Sequence, residues 1–78
     1  MVVYVAHVEP RNDYTLVITF ENSEKRLFDC KRLFDKKVFA PLKNKAFFRL
    51  AHVEYGTVVW NESIDIAPEH LYEEGIPL

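Results

Sequence analysis

A run of alternating side chains near the start of the chain constrains the fold more than any other feature. In residues 14–20, large apolar or aromatic side chains alternate with smaller ones. Because successive side chains of a β-strand point to opposite faces of a sheet, this spacing predicts a strand with one buried face. The residues on that face are Tyr14, Leu16, Ile18 and Phe20.

The segments on either side of this strand predict two antiparallel neighbours. β-Branched residues in the segment 3–9 are followed by Pro10, which has no backbone N–H to give to a sheet. After a short turn, the chain returns through residues 24–30. In that turn Asn22 can adopt a positive φ, whereas Ser23 is a less favourable choice than glycine. The N-terminal half is therefore predicted to be a three-stranded meander.

The apolar spacing changes in the second half of the chain. Between residues 31 and 50, apolar residues lie three and four apart, which is typical of helix, and Pro41 should divide this segment into short helical turns on either side. A second hairpin, extended from Phe47 or Phe48 onward, is predicted to turn at Tyr55-Gly56. The predicted fold class is α+β: a small antiparallel sheet, made of the N-terminal meander and this hairpin, with short helical segments.

The chain length bounds the number of domains. The 78 residues are predicted to form a single domain, residues 1–78, with a small core. Pro68 should begin a single helical turn over residues 67–72, and residues 73–78 are predicted to form a loose C-terminal tail. Since a core of this size contributes only ~3–5 kcal/mol, contact with a second chain would add stability. We expect a protein partner, with a homodimer as an alternative.

Cysteine content and hydropathy indicate a reducing compartment. The single cysteine, Cys30, excludes an internal disulfide and is expected to act as a small buried apolar group. No stretch approaches the ~18–20 apolar residues of a membrane span, and the first residues lack the basic flank and cleavage site of a signal peptide. The expected location is cytoplasmic, with no membrane association.

Charge is divided unevenly along the chain. Residues 1–30 carry three basic and five acidic groups, residues 31–49 carry seven basic and one acidic, and residues 50–78 carry six acidic groups and no Lys or Arg. One interpretation is that the basic middle packs beside the acidic end and largely cancels it. The other is that one or both segments form a binding face.

A short repeat raises the question of a histidine pair. Ala-His-Val-Glu occurs at residues 6–9 and again at 51–54, each time in a predicted strand. If the two strands paired, His7 and His52 would be neighbours and a candidate site. A chance similarity of two half-exposed strands is the favoured interpretation, because so short a motif specifies little.

No catalytic, cofactor or metal site is predicted. A metal site needs three or four converging ligands, whereas the histidines and the cysteine are scattered singly. With two glycines in the chain, there is no glycine-rich phosphate loop. We therefore expect a protein that is not an enzyme; a weaker alternative is an enzyme that acts through His7, His52 or Asp65.

Three conspicuous residues have both a structural and a functional interpretation. Asp29 and Asp65 each follow an apolar strand residue, and we favour capping of the next turn or helix over anchoring of a binding pocket. Trp60 ends the second hairpin and is either the centre of the core or an interface anchor, with the core favoured.

The ordered set of residues resembles a known family. The set begins in the first hairpin, continues through the middle segment and ends after the second hairpin. Its members are Tyr14, Leu16, Ile18, Phe20, Asn22, Glu24, Arg26, Phe28, Asp29, Leu33, Phe39, Leu42, Phe47, Trp60, Asp65, Pro68, Leu71 and Tyr72. Over about residues 8–72 the chain resembles the bacterial domain-of-unknown-function family DUF2442, although Ser23 stands where such sequences usually have glycine.

The resemblance implies a compact α+β fold and no established activity. Relatives look like the smaller partner of neighbouring genes in two-protein modules of toxin–antitoxin type, which suggests a binding role and a partner encoded by an adjacent gene. We therefore expect a small non-enzymatic protein-interaction module, antitoxin-like in role. The residues predicted to contact the partner are Trp60, Asp65, Glu69, Tyr72, Glu73 and Glu74.

An alternative function uses the basic segment 31–49. Its basic residues are interleaved with phenylalanines, which resembles a nucleic-acid surface, and the segment could serve a small-ligand or nucleic-acid accessory domain. The phenylalanines are needed for the core, however, and the isoelectric point of 5.9 does not suit a dedicated nucleic-acid binder. Nucleic acid is therefore not expected as the main partner.

Overall fold

A computed structural model describes residues 3–78 and confirms the α+β class. The N-terminal half is an antiparallel meander with three strands. These are β1 (Val5–Pro10), β2 (Thr15–Phe20) and β3 (Lys25–Asp29). The predicted alternation is confirmed from Leu16 to Phe20, since Leu16, Ile18 and Phe20 are each at most 1% exposed. Tyr14, which was predicted to begin the strand, lies before β2 and has a φ of 65°.

The turn between β2 and β3 uses a different residue from the one expected. Ser23 takes the positive φ, at 74°, rather than Asn22. Asn22 instead closes the turn with its side chain, because its Oδ1 accepts from the backbone N–H of Glu24 at 3.0 Å. The prediction of the turn was right, but the positive φ was assigned to the wrong residue.

The middle segment is built mostly from 3-10 turns. Two 3-10 helices, Cys30–Leu33 and Lys37–Lys43, precede α1 (Lys45–Phe48). Pro41 lies inside the second 3-10 helix instead of separating two helical turns, which corrects that expectation. Pro41 has no N–H to donate to the helix, but its carbonyl accepts from the Asn44 N–H at 3.1 Å, so the turn continues after it.

The second half contains a second antiparallel sheet. Its strands are β4 (His52–Glu54), β5 (Thr57–Asn61) and β6 (Ile64–Ile66), in the order β4-β5-β6. Tyr55 and Gly56 form the predicted turn, with φ values of 54° and 75°. The extended segment expected from residue 47 or 48 starts later, because the Asn44 side chain caps α1 through the N–H groups of Ala46 and Phe47.

The last residues correct the expectation of a loose tail. Helix α2 (Pro68–Glu74) is longer than the predicted turn, and β7 (Ile76–Pro77) pairs with β3. The first sheet therefore has the order β1-β2-β3-β7. Gly75 allows the end of α2 to lie close to β3, since a Cβ there would lie 2.6 Å from the Leu71 carbonyl oxygen and 3.0 Å from Cβ of Arg26.

The two copies of Ala-His-Val-Glu lie in different sheets. Strand β1 pairs with β2 and strand β4 pairs with β5. His7 lies opposite Thr19, whereas His52 lies opposite Val59, so the two copies of the repeat do not pair with each other as strands. The sheets meet where the Val5 N–H donates to the Gly56 carbonyl at 2.8 Å.

One hydrophobic core lies between the sheets and the helical segments. Cys30 is fully buried within it, as expected. Trp60 is 4% exposed, and its Nε1 donates to the Phe48 carbonyl at 2.9 Å, which joins β5 to α1. Among residues 3–78, no helix combines the length and apolar character needed to cross a membrane.

Replacement of Ser23 by glycine should stabilise the fold. A left-handed conformation costs a residue with a Cβ about 1–2 kcal/mol, and the greater freedom of glycine in the unfolded chain offsets part of the gain. We expect Ser23→Gly to raise the free energy of unfolding by about 0.5–1 kcal/mol in urea titrations. Ser63→Gly is the control, because Ser63 is a turn residue without a positive φ; an equal gain there would contradict the explanation.

Candidate functional site

The outer side of the second sheet carries a row of polar residues around one valine. His52 lies opposite Val59, and Val59 lies opposite Asp65, so the three side chains share a face across β4, β5 and β6. Val59 is 8% exposed, while His52 and Asp65 are exposed. The fold thus places His52 and Asp65 on one face of the sheet, with strand β5 between them.

Further acidic and polar residues surround this row. They line a shallow depression formed by the β4–β5 turn and the β5–β6 loop. Its residues are Glu54, Tyr55, Val59, Asn61, Glu62 and Asp65. Tyr55 is 95% exposed, because it occupies the two-residue turn at the rim. We call this surface, with its three carboxylates, the acidic face.

His52 is held by two hydrogen bonds. Its Nδ1 lies 2.9 Å from the Leu50 carbonyl oxygen, and its Nε2 lies 2.7 Å from Oε2 of Glu54. The Leu50 carbonyl, followed by the Glu54 carboxylate, raises the pKa of His52 above its ordinary value because both favour the protonated ring. Where His52 is protonated, its charge offsets part of the negative charge of the acidic face.

Asp65 lies between the acidic face and a second, more apolar groove. The groove runs between the 3-10 helices, β6 and the start of α2, and its residues are Leu33, Lys36, Phe39, Asp65, Ile66, Ala67 and His70. Asp65 does not cap α2, since the residue before that helix is Ala67, which has no capping side chain. The capping prediction was wrong for Asp65 and right for Asp29, whose Oδ1 accepts from the Lys31 N–H at 2.9 Å.

Two of the predicted partner-contacting residues are engaged inside the fold. Trp60 is buried with its ring against that of Phe48, 6.0 Å away between centroids. The ring of Tyr72 packs edge-on against Phe20 at 5.0 Å, and the guanidinium of Arg26 stacks on it at 3.9 Å. Trp60 and Tyr72 therefore contribute mainly to packing within the fold.

The glutamates of α2 differ in what they contact. Glu74 forms an ion pair with Arg32, with 2.8 Å between Oε1 and Nη1. Glu69 and Glu73 are exposed, and the part of the chain described here shows no salt bridge to either. These two carboxylates add negative charge to the surface of α2.

The basic middle and the acidic end do not cancel by direct pairing. All seven basic side chains of residues 31–49 are exposed, and within residues 3–78 the pair Arg32–Glu74 is the one salt bridge that joins the two segments. The basic segment and the acidic end therefore do not neutralise each other through ion pairs, apart from Arg32–Glu74. The phenylalanines of this segment pack inward as predicted: Phe48 is 1% exposed, and Phe34, Phe39 and Phe47 are partly buried.

The structure gives no indication of a metal site or of a reactive cysteine among the described residues. No group of three or more His, Cys, Asp or Glu side chains in residues 3–78 is placed to hold a metal ion. Burial raises the pKa of the Cys30 thiol to about 12, which disfavours the nucleophilic thiolate. Both ring nitrogens of His52 are engaged, by the Leu50 carbonyl oxygen and the Glu54 carboxylate.

Sequence reasoning missed Tyr55, Glu54 and Glu62 as parts of the acidic face. The available signal was an aromatic residue at the first position of a two-residue hairpin turn, where the side chain cannot be buried against the sheet. The proximity of Glu62 depends on the irregularity between Val59 and Asn61, which the sequence does not indicate.

Comparison with known proteins gives a family and no function. A family model described as a protein of unknown function, DUF2442, matches residues 5–77, which is nearly the whole chain. No curated protein and no solved structure matches the chain.

The His52 pair predicts a measurable titration shift. We expect NMR titration to give His52 a pKa above the ordinary histidine value, and Glu54→Gln to lower it part of the way, because the Leu50 carbonyl contact remains. The stabilising contribution is present below the unfolded pKa and is lost as the pH rises through the folded pKa. Glu62→Gln, on the same face, should change this pKa less; an equal effect would show that the shift reflects the general field.

Proposed function

Since the chain belongs to the DUF2442 family of proteins of unknown function, we propose from its surface that it is a non-enzymatic module that binds another protein through its acidic C-terminal third. The observation that supports this proposal is the separation of charge: six acidic residues and no Lys or Arg follow residue 49, and one of the six is paired with the basic segment.

Five exposed carboxylates of this third lie on the second sheet and on α2. Glu54, Glu62 and Asp65 surround Val59 on the second sheet, and Glu69 and Glu73 follow on α2. Fields of one sign attract a partner of the opposite sign, raise the association rate and disfavour acidic competitors. The proposed partner therefore presents a basic surface with an apolar or planar group that can pack on Tyr55.

The proposed biological role is that of the smaller member of a two-protein module. The small size and the acidic surface suit a protein that neutralises a basic partner, as an antitoxin does. The product of an adjacent gene is the first partner to test, because such modules are encoded together.

Charge reversal on α2 should weaken capture of that partner. We expect Glu69→Lys/Glu73→Lys to raise the dissociation constant at least about tenfold at low salt, since two exposed carboxylates become repulsive. The measurement is affinity capture with the co-expressed neighbouring gene product, followed by light scattering and titration calorimetry.

The matched control changes the net charge equally at a distance. Glu21→Lys/Asp35→Lys reverses two exposed carboxylates outside the acidic third. It should alter the dissociation constant by no more than about threefold. If both variants weakened binding equally, the effect would be due to net charge alone. Unchanged binding by the α2 variant would contradict the proposal.

The exposure of the basic segment favours one second candidate, a nucleic-acid accessory role. Lys36, Lys37 and Lys43 are exposed without ion pairs in the described chain. If this segment binds RNA or DNA, affinity should fall steeply between ~50 and ~200 mM salt, and replacing the three lysines with alanine should remove most of the salt dependence. No mobility shift at low salt would eliminate this candidate.

A further inference from the structure

The outer side of the first sheet carries an apolar strip. Strand pairing places Glu9 opposite Val17, Val17 opposite Leu27, and Leu27 opposite Ile76, which makes one continuous row across β1, β2, β3 and β7. Val17 and Leu27 are partly buried, and Ile76 is 63% exposed. The row thus presents three adjacent aliphatic side chains to solvent.

Helix α2 lies on the opposite side of this sheet. The core side of β2 and β3 carries Ile18 and Phe28, both fully buried, and Tyr72 of α2 packs on Phe20 of that side. The strip faces the other way, because successive strand residues point to opposite faces. No helix of the described chain therefore needs the strip for its own packing.

Two opposite charges flank the strip at equal distances. Lys25 and Asp29 lie on β3, two residues before and two residues after Leu27, so they share its face. Both are exposed, and neither forms a salt bridge within residues 3–78. Asp29 uses Oδ1 to accept from Lys31, which leaves its second carboxylate oxygen available.

We propose that this face binds a second copy of the same chain, sheet against sheet, about a two-fold axis that runs across the strands along the Val17–Leu27–Ile76 row. The axis reverses the strand direction and brings the strip of one copy onto the strip of the other. Lys25 of each copy then lies opposite Asp29 of its neighbour, which gives two identical ion pairs. The face is self-complementary in shape, polarity and charge, as an isologous interface requires.

Glu9 at the end of the row would meet its own copy. It lies on the edge strand β1, so the two Glu9 side chains are at the margin of the packed sheets. The like charges therefore lie at the wet rim, where water screens them. The contact depends on the central strip and the Lys25–Asp29 pairs.

The size of the face sets the expected affinity. Four strands ~4.8 Å apart and three residue rows ~6.8 Å apart span roughly 400 Å² per copy. This is about half of the ~800 Å² per partner that a stable interface buries. The dimer should therefore be weak and form at high protein concentration.

The first experiment measures self-association of the full chain. Sedimentation velocity between ~10 μM and ~1 mM should show a concentration-dependent dimer. Leu27→Lys should raise the dissociation constant at least about tenfold, and Ile76→Lys, at a more exposed position that perturbs folding less, should also weaken the dimer. Val38→Lys is the matched control, because Val38 is 53% exposed on the second 3-10 helix, away from the strip; it should have no effect.

The second experiment exchanges the charges. Lys25→Asp gives a chain with two carboxylates beside the strip, and Asp29→Lys gives a chain with two ammonium groups. Each variant alone should self-associate at least about tenfold more weakly than the natural chain. An equimolar mixture should recover the dimer, because both pairs in a mixed dimer are again complementary. Circular dichroism checks that the loss of the Asp29 cap leaves the chain folded.

The outcomes separate this proposal from the binding function. A chain that is monomeric at ~1 mM, a dimer that Leu27→Lys leaves intact, or a mixture that does not recover association would each overturn the proposal. If Leu27→Lys reduces capture of the adjacent gene product and not self-association, the face binds that partner instead, and the dimer is again overturned. The Glu69→Lys/Glu73→Lys variant should dimerise like the natural chain.

Discussion

The contact between Arg26 and Tyr72 closes the fold, and the positions of α2 and β7 depend on it. The guanidinium stacks on the Tyr72 ring, donates to the Tyr72 carbonyl at 2.8 Å and pairs with Glu24 at 3.2 Å, while the Tyr72 hydroxyl donates to the same carboxylate. The Tyr72 hydroxyl, followed by the Asn22 amide, lowers the pKa of Glu24, so the cluster stays charged well below neutral pH and loosens only in acid. Because the Arg26 side chain is 16% exposed, removal of any partner would leave a poorly solvated charge.

This cluster explains why the C-terminal segment is ordered. Helix α2 has seven residues, too few to be stable in isolation, and β7 has two. Leu71 is fully buried in the core, and Tyr72 is held on Arg26, so the opposite side of α2 turns Glu69 and Glu73 to solvent. The same anchoring brings Ile76 beside Leu27 and completes the aliphatic row on the first sheet.

The sequence predicted those parts of the fold that depend on local patterns. The alternation along β2, the Tyr55-Gly56 turn, the cap at Asp29 and the burial of Cys30 each follow from a few neighbouring residues. The prediction of a loose tail was wrong because β7 is specified by residues almost fifty positions away, above all Arg26, and a two-residue strand has no pattern of its own. For the same reason Tyr72 looked available to a partner, although its ring belongs to the cluster. Asp65, which the sequence predicted to contact a partner, is exposed, and its neighbours Glu54 and Glu62 come together only through strand pairing.

The two proposed surfaces rely on different physics and have no residue in common. The acidic face has three carboxylates around a nearly buried Val59, so it favours long-range attraction, fast association and sensitivity to salt. The outer side of the first sheet offers Val17, Leu27 and Ile76 with charges of both signs at its margins, so it favours a short-range contact with a copy of itself. A two-fold dimer through the first sheet would present two acidic faces in one particle. If the basic partner is itself dimeric and its sites match that spacing, the second contact forms at a high effective concentration. Weak dimerisation through the first sheet would then strengthen binding of the partner to the acidic faces, although the first sheet does not contact the partner.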